Sequence, residues 1–138
     1  MADKLLVRAY FVEVGDCIYC RIPKGRKVGN DIDDFHILID CGSKGAMDNL
    51  QVAITDLQTM LPNAAGGKKR LDLLVATHEH EDHISGFDPA LFDGIKIESI
   101  WMNAAMNPKH PQAKKAMQLD QLATTAMRNI ASQHIDLS

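Results

Sequence analysis

The run Thr77-His78-Glu79-His80-Glu81-Asp82-His83 constrains this chain more than any other stretch. It follows directly on Leu71-Asp72-Leu73-Leu74-Val75-Ala76, whose near-continuous apolar character reads as a strand buried on both faces. A strand that ends in imidazoles and a carboxylate is a rigid arm for holding a borderline cation such as zinc. His78 and His80 are two positions apart, so on an extended segment they point the same way and reach one ion. Asp82 and His83 follow once the chain turns and face a second position nearby. That geometry suits two ions about 3.5–4 Å apart that share a bridging water or hydroxide. Asp82 then has two tasks, binding metal and orienting the nucleophile, and is the candidate catalytic residue. Glu79 and Glu81 read as solvated neighbours that add negative potential. The helical zinc signature His-Glu-x-x-His does not apply, because the fourth position after His78 is Asp82.

The rest of the pattern supplies the frame around this cluster. Leu5 to Val14 reads as a strand, and Gly15-Asp16 as a turn. Cys17 to Ile22 is a second strand, Pro23 to Asp34 a polar loop, and Phe35 to Cys41 a third strand with Phe35, Ile37 and Ile39 facing inward. His36 reads as a half-exposed strand residue. The period then changes. Met47, Leu50, Ile54, Leu57 and Leu61 form one apolar stripe on a helix that Pro62 stops. A fourth strand over Leu71–Thr77, a short helical turn within Ile84–Phe92 and a fifth strand over Ile95–Met102 follow. Ala116, Leu119, Ala123, Ala126 and Ile130 mark a final Ala-rich helix. Strands interleaved with helices predict a layered α/β arrangement, parallel in its later strands.

A chain of 138 residues with no linker-like stretch reads as a single domain over 1–138. Its net charge of -3 gives no global field for nucleic acid, so any such contact is local. No apolar run is long enough for a bilayer, and Met1-Ala2-Asp3-Lys4 lacks a secretory pattern, so a cytoplasmic location is expected. Cys17, Cys20 and Cys41, an odd number, fit reduced thiols there. Cys17 and Cys20 look like a CxxC pair, but residues three apart on a strand point to opposite faces and cannot pinch one metal. Lys68-Lys69-Arg70, with Lys24, Arg26 and Lys27, could meet phosphate, although short basic loops are usually just solvated.

The run from His78 to His83 resembles the His-x-His-x-Asp-His signature of the metallo-β-lactamase-fold hydrolases. Val14-Gly15-Asp16-Cys17-Ile18 is similar to that family's first hairpin, often Val-Gly-x-Gly-Asp, with one residue fewer. Ile37-Leu38-Ile39-Asp40-Cys41-Gly42 is similar to its strand ending in Asp-x-Gly. The combination spans roughly residues 5 to 103 and most resembles the hydrolase domain of bacterial DNA-uptake competence proteins. The resemblance implies an αββα sandwich with the metal site at one edge. It implies hydrolysis of an ester-like bond by a metal-bound hydroxide, on two zinc ions or another divalent metal. His78 and His80 would hold one ion, Asp82 and His83 the other, and Asp40 would support the metal loop by bonding to ligands rather than to the ion. The substrate is a small molecule or, preferably, a phosphodiester.

The family completes its sites with later histidines and a bridging aspartate. His110 and His134 are the histidines that follow the cluster here, and neither stands in a matching context. The chain therefore reads as the N-terminal half of the fold. Half a sandwich leaves a sheet face uncovered, which favours a homo-oligomer or pairing with a missing half. The alternative function is a truncated, non-catalytic domain that binds metal or acts by association.

Overall fold

The computed structural model describes residues 3–103 together with Met106 and Lys109. It comprises two compact units, Met1–Met102 and Asn103–Ser138, and every element below belongs to the first. His110, His134 and the expected Ala-rich helix lie outside the described residues.

The elements run β1 (Leu6–Ala9), β2 (Ile18–Val28), β3 (Asp31–Ile39), α1 (Met47–Met60), a 3-10 turn at Ala65–Gly67, β4 (Lys69–Ala76), α2 (Glu81–Ile84) and β5 (Ile95–Met102). They build one five-stranded mixed sheet in the order β1-β2-β3-β4-β5. The first three strands are antiparallel neighbours, and β3, β4 and β5 are parallel. The parallel step from β3 to β4 needs a crossover, and α1 supplies it. This is the α/β order expected.

Leu50, Ala53, Ile54 and Leu57 on α1 are buried against Tyr19, Leu38 and Leu74 on one sheet face. Met47, expected to open that stripe, is 48% exposed, because the first helical turn overhangs the core. The helix ends at Leu61 in extended conformation, as the residue before Pro62 must be.

Three expectations need correction. The first strand covers only Leu6–Ala9, since Val12, Val14 and Asp16 leave the ladder and bond instead to the loop after β3 and to Asp82. The segment expected as a loop, Pro23 to Asp34, is instead a continuation of the β2–β3 hairpin. Its turn is Gly29-Asn30, with φ 60° at Gly29, a conformation that glycine adopts freely at the first position of a tight hairpin. Pro23 is tolerated because the register shifts between Ile22 and Arg26, a bulge where proline need not donate. Third, the inward set on β3 is His36 and Leu38, followed by buried Asp40 just past the strand; Phe35, Ile37 and Ile39 are half-buried on the opposite face. His36 is 4% exposed. Hydrophobicity alone selects the wrong face here, because His36 and Asp40 are buried through polar partners that only the fold brings.

Candidate metal centre

Parallel pairing of β3 and β4 places Ile39 beside Val75, so both strands deliver their carboxyl ends to one edge. Ligands in open α/β sheets bind at such an edge. Asp40 is the first residue past β3, and its amide still donates to Val75 O at 2.8 Å. Its φ of 56° is unusual for a residue with a Cβ; aspartate tolerates it better than most. That backbone reversal aims the buried carboxylate at the start of the histidine run. Oδ1 accepts the Thr77 amide at 2.8 Å, and Oδ2 accepts the Thr77 hydroxyl at 2.5 Å.

The chain after Thr77 turns back through α2 and returns His83 to the same carboxylate. His83 Nδ1 lies 2.9 Å from Asp40 Oδ2, and His83 Nε2 lies 3.3 Å from Asp82 Oδ2. Backbone bonds fix the return: Cys41 N–H donates to His83 O at 2.9 Å and Gly86 N–H to Cys41 O at 2.8 Å. Gly42 permits the close approach, since a Cβ there would run into the backbone of Asp82 and His83.

The rings converge. The His78 and His83 centroids are 3.6 Å apart, and His80 packs edge-on against His78 at 4.8 Å. Asp40, His78 and His83 each offer a ligand atom within 4.8 Å of the others. Small side-chain rotations would bring such donors to the roughly 3.4 Å spacing of a tetrahedral shell with bonds of about 2.0–2.2 Å. His80 and Asp82 border this group, His80 exposed and Asp82 half-buried. Glu79 and Glu81 are exposed.

Proton counting assigns the tautomers. The Thr77 hydroxyl has one hydrogen and donates it to Asp40, so towards His78 Nδ1, 2.9 Å away, it can only accept. His83 Nδ1 faces carboxylate oxygen, which also only accepts. Both rings therefore carry a proton on Nδ1, which leaves Nε2 as the ligand atom, the usual arrangement in carboxylate-supported histidine sites; at His83 that nitrogen faces the Asp82 carboxylate at 3.3 Å.

Sequence reasoning missed Thr77, Asp16 and the pair Cys17 and Cys41. Thr77 stood only as a neighbour of the histidines, yet its hydroxyl links Asp40 to His78. Asp16, read as a turn former, places Oδ2 at 3.3 Å from His83 Nδ1. Cys17 and Cys41 are both buried behind Asp40, where their mutual hydrogen bond and burial push the Cys17 thiol up. A buried thiol of raised pKa is unreactive packing. The Gly-Asp turn was the one available signal for Asp16; nothing local marks the others.

The basic segments do not reach this edge. Arg70 sits near the opposite end of β4, paired with Asp72 at 3.0 Å and Asp33 at 2.8 Å, and Arg26 pairs with Asp72 at 3.1 Å. Among the described residues no helix is long and apolar enough to cross a membrane.

The family model described as Metallo-beta-lactamase superfamily matches residues 30–94, the stretch from the β2–β3 turn to the threshold of β5. Ribonuclease J of Mycoplasma genitalium is 36% identical over 73 residues, which is 53% of this chain and 12% of that protein. The chain thus spans a small part of that relative's length. No solved structure matches it.

Proposed function

On the match of residues 30–94 to the metallo-beta-lactamase superfamily, we propose that His78, His80, Asp82 and His83, supported by Asp40, furnish part of a divalent-metal hydrolase site. The bond attacked is ester-like, a phosphodiester by preference, and the proposed ion is zinc. The observation that carries this reading is the convergence of Asp40, His78 and His83 within 4.8 Å. The relative named a ribonuclease favours the phosphodiester.

The donor set fits the ion. Imidazoles from His78, His80 and His83 and the Asp82 carboxylate are donors that suit zinc, while the Asp40 carboxylate, bonded to Thr77 and to His83 Nδ1, serves the ligands rather than the ion. When bound, such an ion supplies Lewis-acid polarisation of the scissile group and a water nucleophile near neutral pH. The chain's own residues do the rest. Thr77 holds the His78 proton on Nδ1, and Asp40 holds that of His83, which leaves Nε2 as the ligand atom of each ring. Asp82, half-buried beside His83 Nε2, is placed to bind metal or to accept a proton from an attacking water.

Stripped protein titrated with zinc under chelator competition tests this. Wild type should bind one or two equivalents, with His78→Ala and His83→Ala weakened at least about tenfold. Bis(p-nitrophenyl) phosphate provides the activity arm. Equal zinc content in wild type and a His78→Ala/His83→Ala double variant would sink the reading.

A second reading, association without catalysis, is favoured by the sheet face away from α1. Val7, Ile22 and Trp101 share that face and are 57%, 40% and 66% exposed. Sedimentation velocity separates the two, because a monomer that hydrolyses the phosphodiester contradicts association.

A further inference from the structure

Asp16 lies between β1 and β2, where a turn former would suffice. Its contacts exceed that task. Its amide donates to Asp82 O at 3.0 Å, and its carbonyl accepts the Gly42 amide at 3.0 Å. One residue thereby joins the loop after β3 to the first turn of α2. The preceding Gly15 allows this approach: its φ is 157°, and a Cβ would stand 2.6 Å from Asp82 O and collide with Gly42 O. The Asp16 side chain then turns inward. Oδ2 lies 3.3 Å from His83 Nδ1, the same nitrogen that faces Asp40 Oδ2 at 2.9 Å. Two carboxylates thus stand within 3.3 Å of one ring nitrogen, Asp40 as its hydrogen-bond acceptor and Asp16 as a charged neighbour. The Asp40 side chain is 4% exposed and that of Asp16 51%.

We infer that Asp16 is a positioning residue of the candidate metal centre, a second carboxylate that holds the His83 ring with its proton on Nδ1. The inference rests on the metal reading above. The Asp40 hydrogen bond holds the N–H, and the Asp16 charge 3.3 Å from the same nitrogen adds electrostatic attraction that favours the proton on Nδ1. The half-exposed Asp16 carboxylate is screened by water, so its share is smaller than that of Asp40. Supporting carboxylates of this kind are worth about 10–100-fold in metal affinity, and Asp16 belongs at the lower end.

The test uses the full chain and two variants that keep the turn and both backbone bonds. Asp16→Ser is too short to reach the ring, and Asp16→Asn keeps an oxygen but loses the charge. In metal-free protein at about pH 9, above the ordinary imidazole range, long-range proton–nitrogen NMR reads the tautomer of each histidine. His83 should show the Nδ1–H pattern in wild type and move towards Nε2–H in Asp16→Ser, with Asp16→Asn between. His78, held by Thr77, should not change. Zinc affinity should drop about tenfold in Asp16→Ser. An unchanged His83 tautomer in both variants overturns the inference, even if zinc affinity drops, since that drop would report only a displaced turn. Wild type that binds no zinc defeats the metal reading instead, while the tautomer arm still decides whether Asp16 holds the ring.

Discussion

Asp40 carries more of the site than any histidine does. Three donors converge on its buried carboxylate, two from Thr77 and one from His83. Asp40→Ala should therefore lower stability by about 2–4 kcal/mol even without metal, at about 1 kcal/mol per lost bond, plus about 1 kcal/mol for alanine at positive φ. Asp40→Asn keeps one oxygen and tolerates that backbone, so about 1–2 kcal/mol is expected. Urea unfolding of the stripped proteins measures both; equal costs for the two substitutions would refute the backbone part of the account. At this scale the candidate cluster was legible, because His78, His80, Asp82 and His83 are dense in the chain. Thr77 and Asp16 were not. A hydroxyl or carboxylate gains its role from what the fold sets within 3.3 Å, and that partner is distant in sequence.

Among the elements, α1 is held by apolar burial and by a polar tether. Leu57 is fully buried, so Leu57→Ala should cost about 2–5 kcal/mol. The tether joins Asp56 on α1 to Tyr10, whose hydroxyl donates at 2.7 Å, and to Arg8 on β1. Burial, with the Asp56 charge beside it, pushes the Tyr10 phenol well up, so it stays a donor at every physiological pH. Gly42 sets the close contact between the loop after β3 and α2. Gly42→Ala forces the loop after β3 away from α2 and should loosen His83 without touching α1. Hydrogen exchange should then rise at the Cys41 amide, which donates to His83 O, and stay constant over residues 50–57. A uniform rise across both would mean global destabilisation rather than a displaced loop. The helix and the last two strands were readable from periodicity. The hairpin was not, since Pro23, Gly25 and Gly29 carry loop chemistry that the bulge and tight turn absorb.

For the whole molecule, pH exposes a cost that the core pays. His36 is buried with Nδ1 2.8 Å from the Tyr19 hydroxyl, and burial lowers its pKa. The unfolded chain protonates such a histidine first, near pH 6.5, so folding stability is full above that value and is lost as pH falls below it. His36→Gln retains a partner for Tyr19 and removes the titration. The thermal midpoint of wild type should drop more steeply between about pH 7 and 5.5 than that of His36→Gln; parallel slopes would disprove it. Asp33 and Asp56 add a separate acid limb. Arg70 bonding lowers the Asp33 pKa, and Tyr10 and Arg8 bonding lowers that of Asp56, so their support fades only below about pH 4. From the sequence alone came the α/β order, the crossover helix, the strand that ends in ligands and the family likeness, because each is written in local periodicity or in residues close along the chain. Tertiary structure alone decided which face of β3 is buried, why His36 and Asp40 can lie inside, and that Asp16, Asp40 and Thr77 close on the histidines. Those outcomes depend on contacts between residues 36 to 67 positions apart, and a buried polar side chain is stable only where such a distant partner arrives.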